Sequence, residues 1–313
     1  MKTLLQRTIK DKEVNLYPVW LMRQAGRYMP EYMAIKAESN GFLDMALTPE
    51  KATEITMQPI KEFDMDAAII FSDILIINYA LGQELDYNPA PELGPYKESF
   101  WETTESEFIE KCEPVYEAIR RVREELDDSK SLIGFAAAPY TLCKYMCDSV
   151  DSDIVNRLIP YIVTHLSMQI EAGCDTVQIF DSHAGDISEH DFDEIIIEPT
   201  KIIVDVIRAH YPHVCIIAFP RLVGNKINKY IEIVNPDCTN ISDDKPVDEI
   251  EGEVLQGGIA VKRLIKGEDI TPVLDKMKGK PYVVNLAHGI DKITPVENVR
   301  NLVNKAKEYR ENV

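Results

Sequence analysis

Eight times along the chain a short apolar run stops abruptly in a polar or glycine-containing loop and gives way to a helical pattern. The runs are "PVWLM", "DAAIIF", "SLIGFAAA", "DTVQIF", "VCIIAF", "DCTNIS", "EVLQGGI" and "YVVNLA". Their brevity and β-branched content suit strands buried on both faces, as in a parallel sheet. "DCTNIS" is the least strand-like of them, being short and polar. Amphipathic stretches such as "TPEKATEITMQPIKEF" and "DIVNRLIPYIVTHLSMQIEAG" fill most of the intervals. Thr48 with Pro49 marks one helix start, and Thr294, Pro295 and Glu297 fit a capping box with proline in the first turn. Gly173 reads as a helix stop. No Gly/Ser linker or charge block divides the 313 residues. About eight strand–helix units in this length predict one domain over 1–313, a single (β/α)8 TIM barrel. A doubly wound open sheet is the rival, but no G-x-G-x-x-G or P-loop pattern is present.

A barrel places its chemistry at the carboxyl ends of its strands. Those ends supply Arg23 with Arg27, Ser72 with Asp73, Pro139 with Tyr140, Asp181 with Ser182, Arg221, Asp243, Gln256 with Gly257, and His288 with Gly289. Each alone is an ordinary turn residue; together they can converge on one cavity.

Charge sharpens that reading. The chain carries a net charge of −19 and a sequence pI near 4.8. Such a field attracts neither a nucleic-acid backbone nor an anionic membrane surface. Yet Trp20 to Lys36 holds Arg23, Arg27 and Lys36 against Glu31 alone. An anionic ligand must be held locally, and two guanidiniums on a loop suit a bidentate grip on carboxylates or phosphates. Gly26 between them lets the backbone turn sharply. The bland alternative is an arginine pair joined to nearby acids.

Asp73, bracketed by "AAIIFS" and "ILII", is costly to bury without a partner. It reads either as a cap on backbone N–H groups or as a fixed charge awaiting a cationic ligand or intermediate. His288 ends the last run, where a hydrogen-bonded structural histidine is the plain alternative. Asp181, Ser182 and His183 adjoin, but neighbours on a strand point to opposite faces and no G-x-S-x-G turn exists. His210 and His213 lie in a predicted loop without companion ligands, so no metal site is expected. Tyr145 falls within a predicted helix start, where packing is the ordinary role. The six cysteines form no Cys-x-x-Cys pair and read as reduced core residues. The N-terminal stretch has no signal-peptide core and no run approaches a bilayer span, so a cytoplasmic protein is expected.

Taken together, "PVWLMRQAGRYMPEY" resembles the signature of the uroporphyrinogen decarboxylase family. "DAAIIFSDIL", "GFAAAPYTL", "QIFDSHAG", "LQGG" and "NLAHGI" are similar to its remaining blocks, in order, from about Pro18 to about Asn298. The resemblance implies a single (β/α)8 barrel, usually a homodimer, and an enzyme using neither metal nor organic cofactor. It implies a cyclic tetrapyrrole substrate, uroporphyrinogen, whose four acetate arms lose carbon dioxide to give coproporphyrinogen. A protonated pyrrole is its own electron sink, which accounts for the missing cofactor motif. On matching positions, Asp73 would stabilise the cationic intermediate. Arg23 and Arg27 would hold acidic arms, with Arg23 also assisting proton delivery. Gln24, Ala25 and Gly26 would complete that loop, and Tyr145, Ser182 and His288 would contact substrate. Lys36 stands where the family often has arginine.

Departures touch cleft shape only. "LQGGIAV" lacks the family's usual continuation after Gly257, over Gly258 to Val261. Ala287 replaces a usual glycine, Tyr140 a common tryptophan, and Asp244 a position often tryptophan. Two other functions remain open from sequence. A cobalamin-linked methyltransferase would need a His-x-Cys…Cys zinc site, which is missing. A non-catalytic porphyrinogen-binding protein could keep the arginines and dispense with Asp73.

Overall fold

A computed structural model of the chain describes residues 2–87 and 90–313. Its strands, in chain order, are β1 (Ala67–Ile69), β2 (Leu85–Tyr87), β3 (Pro91–Leu93), β4 (Ser131–Ala137), β5 (Thr176–Asp181), β6 (Cys215–Pro220), β7 (Cys238–Ile241), β8 (Leu255–Gly257) and β9 (Tyr282–Val283). β1 and β4 to β9 form one curled, seven-stranded sheet in which every pairing is parallel. Helices alternate with these strands along the chain. The α/β class and the parallel sheet match the sequence reading; the eight-stranded barrel does not, because the sheet holds seven strands.

The run that fails to form a strand is "PVWLM". It meets the sheet through one parallel bridge, Val19 to Val284. The physical reason lies in who takes its backbone groups. Pro18 has no N–H to give a ladder. The Val19 N–H donates to the Asp66 carboxylate at 2.8 Å and the Met22 N–H to Asn285 Oδ1 at 3.0 Å. Side chains therefore substitute for a strand partner, while the Asp66 N–H donates to the Val19 carbonyl at 2.9 Å. "DCTNIS", by contrast, forms β7 with all four residues buried.

Alternation on the strands divides two cores. Gln178 and Phe180 on β5 and Cys215, Ile217 and Phe219 on β6 face inward, in register Gln178 to Ile217 and Phe180 to Phe219. Val177 and Ile179 face the larger core beneath the helices. Inside the curl a buried polar chain links the strands. Trp20 Nε1 donates to Gln256 Oε1 (2.9 Å), and Gln256 Nε2 donates to Asn240 Oδ1 (2.8 Å) and Gln178 Oε1 (3.1 Å). Leu5 and Ile9 of the helix Leu4–Lys10 join the inner cluster. Thr3, its cap, shares a 2.6 Å hydrogen bond with Ser131 at the start of β4. The amino end of the curl is thus plugged.

Three further features depart from the sequence reading. The last helix runs Val296–Glu311 with Pro295 as its cap, and Thr294 makes no capping bond; its buried hydroxyl has no partner among the described residues. The antiparallel hairpin of β2 and β3 lies outside the strand–helix pattern and was not expected. Gly173 does end the helix Ser152–Ala172, with φ of 129°. His210 closes the helix Glu198–His210 rather than lying in a loop. The six cysteines are free thiols, all buried except half-buried Cys147. Among the described residues no helix is long and apolar enough to cross a membrane.

Candidate active site

The loop after Met22 turns on Arg23, which holds φ of 58°. A left-handed residue other than glycine is strained and persists only where its surroundings impose it. Here Gly289 receives the side chain: a Cβ at that position would come within 2.5 Å of Arg23 Cδ and 2.7 Å of Cγ. The turn was expected at Gly26. That residue has no positive φ, and a Cβ there would meet the Arg23 carbonyl at an ordinary 3.4 Å. Gln24 fastens the loop to the sheet. It is buried, with Oε1 accepting from the Leu21 N–H (3.2 Å) and Nε2 donating to the Ala67 carbonyl (3.2 Å). Both ends of its amide are engaged within the protein. Ala25 packs against the large core.

Asp73 follows β1 in a half-buried position. One carboxylate oxygen accepts from the Leu75 N–H at 2.6 Å. Burial pushes the Asp73 carboxyl above its usual range, opposed by the nearby Tyr87 phenol, the Leu75 N–H and the Arg23 charge. The Tyr87 hydroxyl, on β2, is buried without a hydrogen-bond partner of normal geometry among the described residues, as is the Ser72 hydroxyl. Arg23 is open to solvent, yet the surrounding protein drives its guanidinium down. The Asp73 charge opposes that shift, whereas Arg27 and Arg221 add to it.

His288 and Tyr145 complete the group. Burial first, then the charges of Arg23 and Arg221, push His288 down to about 4; Asp243 and the Gly289 backbone work the other way. It is a neutral imidazole at pH 7. The Tyr145 phenol, on the helix Pro139–Cys147, is raised by burial and then by Asp73. Its ring meets His183 edge-on with centroids 5.2 Å apart. Ser182 is half-buried, and its carbonyl accepts from Arg221 Nη1 at 3.4 Å. The mouth of the curl therefore gathers Arg23, Arg27, Arg221, Asp73, Tyr87, Tyr145, Ser182 and His288.

Not every expected residue joins them. Lys36 sits exposed in the last turn of the helix Pro30–Ala37, and among the described residues no hydrogen bond or ion pair ties it to the group. Asp181 continues the outward phase of Val177 and Ile179 and accepts from Thr141 Oγ1 at 2.7 Å beneath the helices. Gln256 lies in the inner polar chain. Tyr87 was missed altogether. The turn dipeptide Asn88-Pro89, just past it, was the available signal for a hairpin there.

One regularity stands out. Among the described residues Arg23, Arg27 and Arg221 have no carboxylate within salt-bridge distance, whereas every other arginine of the chain does. Three unpaired guanidiniums beside one acid have the chemistry that suits carboxylates or phosphates.

Comparison with known proteins gives the family. The uroporphyrinogen decarboxylase (URO-D) family model matches residues 1–309. The uroporphyrinogen decarboxylase of Rickettsia bellii is 38% identical, covering 98% of this chain and 99% of its own. That of Rickettsia felis is 35% identical, covering 95% of this chain and 94% of its own. A methyltransferase from Methanosarcina mazei superposes with a TM-score of 0.79 over 99% of each chain, at 15% identity, which speaks for the fold alone. The family match over residues 1–309 and the near-complete coverage of both relatives lead to one assignment: this chain belongs to the uroporphyrinogen decarboxylase family.

Proposed function

We propose that the protein is a carboxy-lyase of porphyrin and heme biosynthesis. It removes the four acetate carboxyl groups of uroporphyrinogen III to give coproporphyrinogen III without a cofactor. The observation that carries this reading is the trio of unpaired arginines around Asp73 in a chain of net charge −19. In such a chain guanidiniums left without a carboxylate suit a ligand that brings several carboxylates of its own.

Each turn of the reaction needs a place for electrons. Protonating a pyrrole carbon makes the ring cationic. The bond to the acetate carboxylate then breaks, its electron pair enters the ring, and carbon dioxide leaves. A second proton on the exocyclic carbon gives the methyl group, and loss of the first proton from the ring carbon restores the neutral pyrrole. Asp73 stands as the fixed anion that steadies the cationic ring, a role strengthened by partial exclusion of water. Arg23 and Arg27 bind the acid arms, and Arg23 also assists proton delivery. Gln24, Ala25 and Gly26 shape the loop. Tyr145, Ser182 and neutral His288 line the substrate, and Lys36 assists from the rim.

The chain acts as one domain over 1–313, with Pro18–Met22 serving as the eighth stave that completes the barrel. It functions in the cytoplasm as a homodimer. The deciding test is to incubate purified, metal-stripped protein with uroporphyrinogen and follow stepwise loss of carboxyl groups. Binding without any carboxyl loss would favour a porphyrinogen-binding protein instead.

A further inference from the structure

Arg221 follows β6 and keeps its inward phase, two residues beyond Phe219. It is half-buried, and its side chain makes one long hydrogen bond, to the Ser182 carbonyl at 3.4 Å. A guanidinium so placed loses water without gaining a counterion, which is unfavourable unless a ligand supplies one. The backbone nevertheless holds it there firmly. The Arg221 N–H donates to the Asp181 carbonyl at 3.1 Å, and the Leu222 N–H to Ser242 Oγ at 3.0 Å. Leu222 itself has φ of 57°, a strained conformation for leucine, and leaves its side chain exposed. Gly185 packs beneath: a Cβ there would come within 2.6 Å of the Leu222 carbonyl oxygen. A loop that accepts strain in order to aim an unpaired arginine at the mouth is built for a ligand.

We propose that Arg221 is a third carboxylate-binding residue of this site, gripping an acid arm separate from those held by Arg23 and Arg27. The inference rests on the uroporphyrinogen reading above, because a ligand with eight carboxylates is what would employ a third fork. The planar guanidinium offers two parallel N–H donors to one carboxylate, which a lysine at this position would not. Arg221 also repels Arg23 across the mouth, and both disfavour charge on His288. The ligand-free site is therefore electrostatically tense, and a polyanion relieves it. Around His288 the charged groups are Arg23 and Arg221 on one side of the balance and Asp243 on the other.

The test uses full-length protein carrying Arg221→Gln and Arg221→Lys, with steady-state kinetics on uroporphyrinogen. A second readout is the NMR titration of His288 without ligand, assigned through His288→Asn. Gln at 221 should raise KM about 10–100-fold with a smaller change in kcat, and the His288 titration should move upward. Lys should restore the His288 titration but recover only part of the lost affinity. Arg221→Lys also serves if the Gln variant does not fold. A KM within twofold of wild type in both variants overturns the proposal, even if His288 shifts, since Arg221 would then be near the ligand without holding it. Wild-type protein that leaves uroporphyrinogen intact would sink the parent reading instead. Arg221 is then judged by equilibrium binding of fluorescent uroporphyrin, which the Gln variant should weaken by the same factor and which an unchanged affinity would refute.

Discussion

Two aspartates at strand ends make an instructive pair. Asp73, after β1, and Asp181, at the end of β5, are both drawn out of water, and burial raises the carboxyl of each. Asp73 has Arg23, a backbone N–H and a phenol at hand, and it stays half-accessible at the mouth. Asp181 is sealed beneath the helices with Thr141 as its hydrogen-bond donor. Its second oxygen has no partner among the described residues, and it sits near the like-charged Asp186. Burial alone thus fails to distinguish the two carboxylates. What separates them is unclaimed positive charge within reach.

The largest expected effect is on turnover. Asp73→Asn should lower kcat at least about 10²–10³-fold, the scale for losing a charge aligned with a developing ion, while uroporphyrin binding stays measurable. Asp181→Asn should leave kcat within a few-fold. Coproporphyrinogen formation measured for both variants would break the comparison if the two fell together.

Next in size is affinity at the mouth. Arg27→Ala should raise KM about 10-fold, the cost of one charge-assisted contact, with the melting temperature unchanged because Arg27 pairs with no acid. A collapsed melting temperature with intact affinity would place Arg27 in the scaffold.

The Asp181 side of the comparison is sharpened by pH. Burial, outweighing the Thr141 hydrogen bond, raises its folded-state carboxyl to about 7, whereas the unfolded carboxyl titrates near about 3.9. The folded state therefore holds the proton more tightly, so this group's contribution to stability is full below about pH 4 and falls as pH rises toward about 7. The full span is on the order of a few kcal/mol. Denaturant unfolding at pH 5 and pH 7.5 should show a smaller difference in Asp181→Asn than in wild type. An identical difference would mean that Asp181 is ionised in the folded protein.

The smallest effect is expected at the rim. Lys36→Ala should change KM by less than about twofold, because an exposed lysine on a flexible stem gives little in water. A tenfold rise would bring the helix Pro30–Ala37 into the site.

Much of the architecture was legible because parallel strands buried on both faces must be written as unbroken apolar runs. Seven of eight runs became strands on that account. Pro18–Met22 did not, because Asp66 and Asn285, 47 and 263 residues away in sequence from their partners, take the Val19 and Met22 N–H groups. The hairpin carrying Tyr87 was hidden for the opposite reason: two three-residue strands leave no periodicity to read. Arg23, Arg27 and Asp73 could be picked out by their placement at run ends. The detached position of Lys36 and the inward turn of Gln24's amide could not.

Sequence by itself settled the class of fold and the family, since alternation, run length and local motif are short-range properties of a chain. Tertiary structure decided which charges are free. Whether an arginine is spent on a neighbouring acid depends on carboxylates brought near by folding, and that pairing leaves no trace in the order of residues.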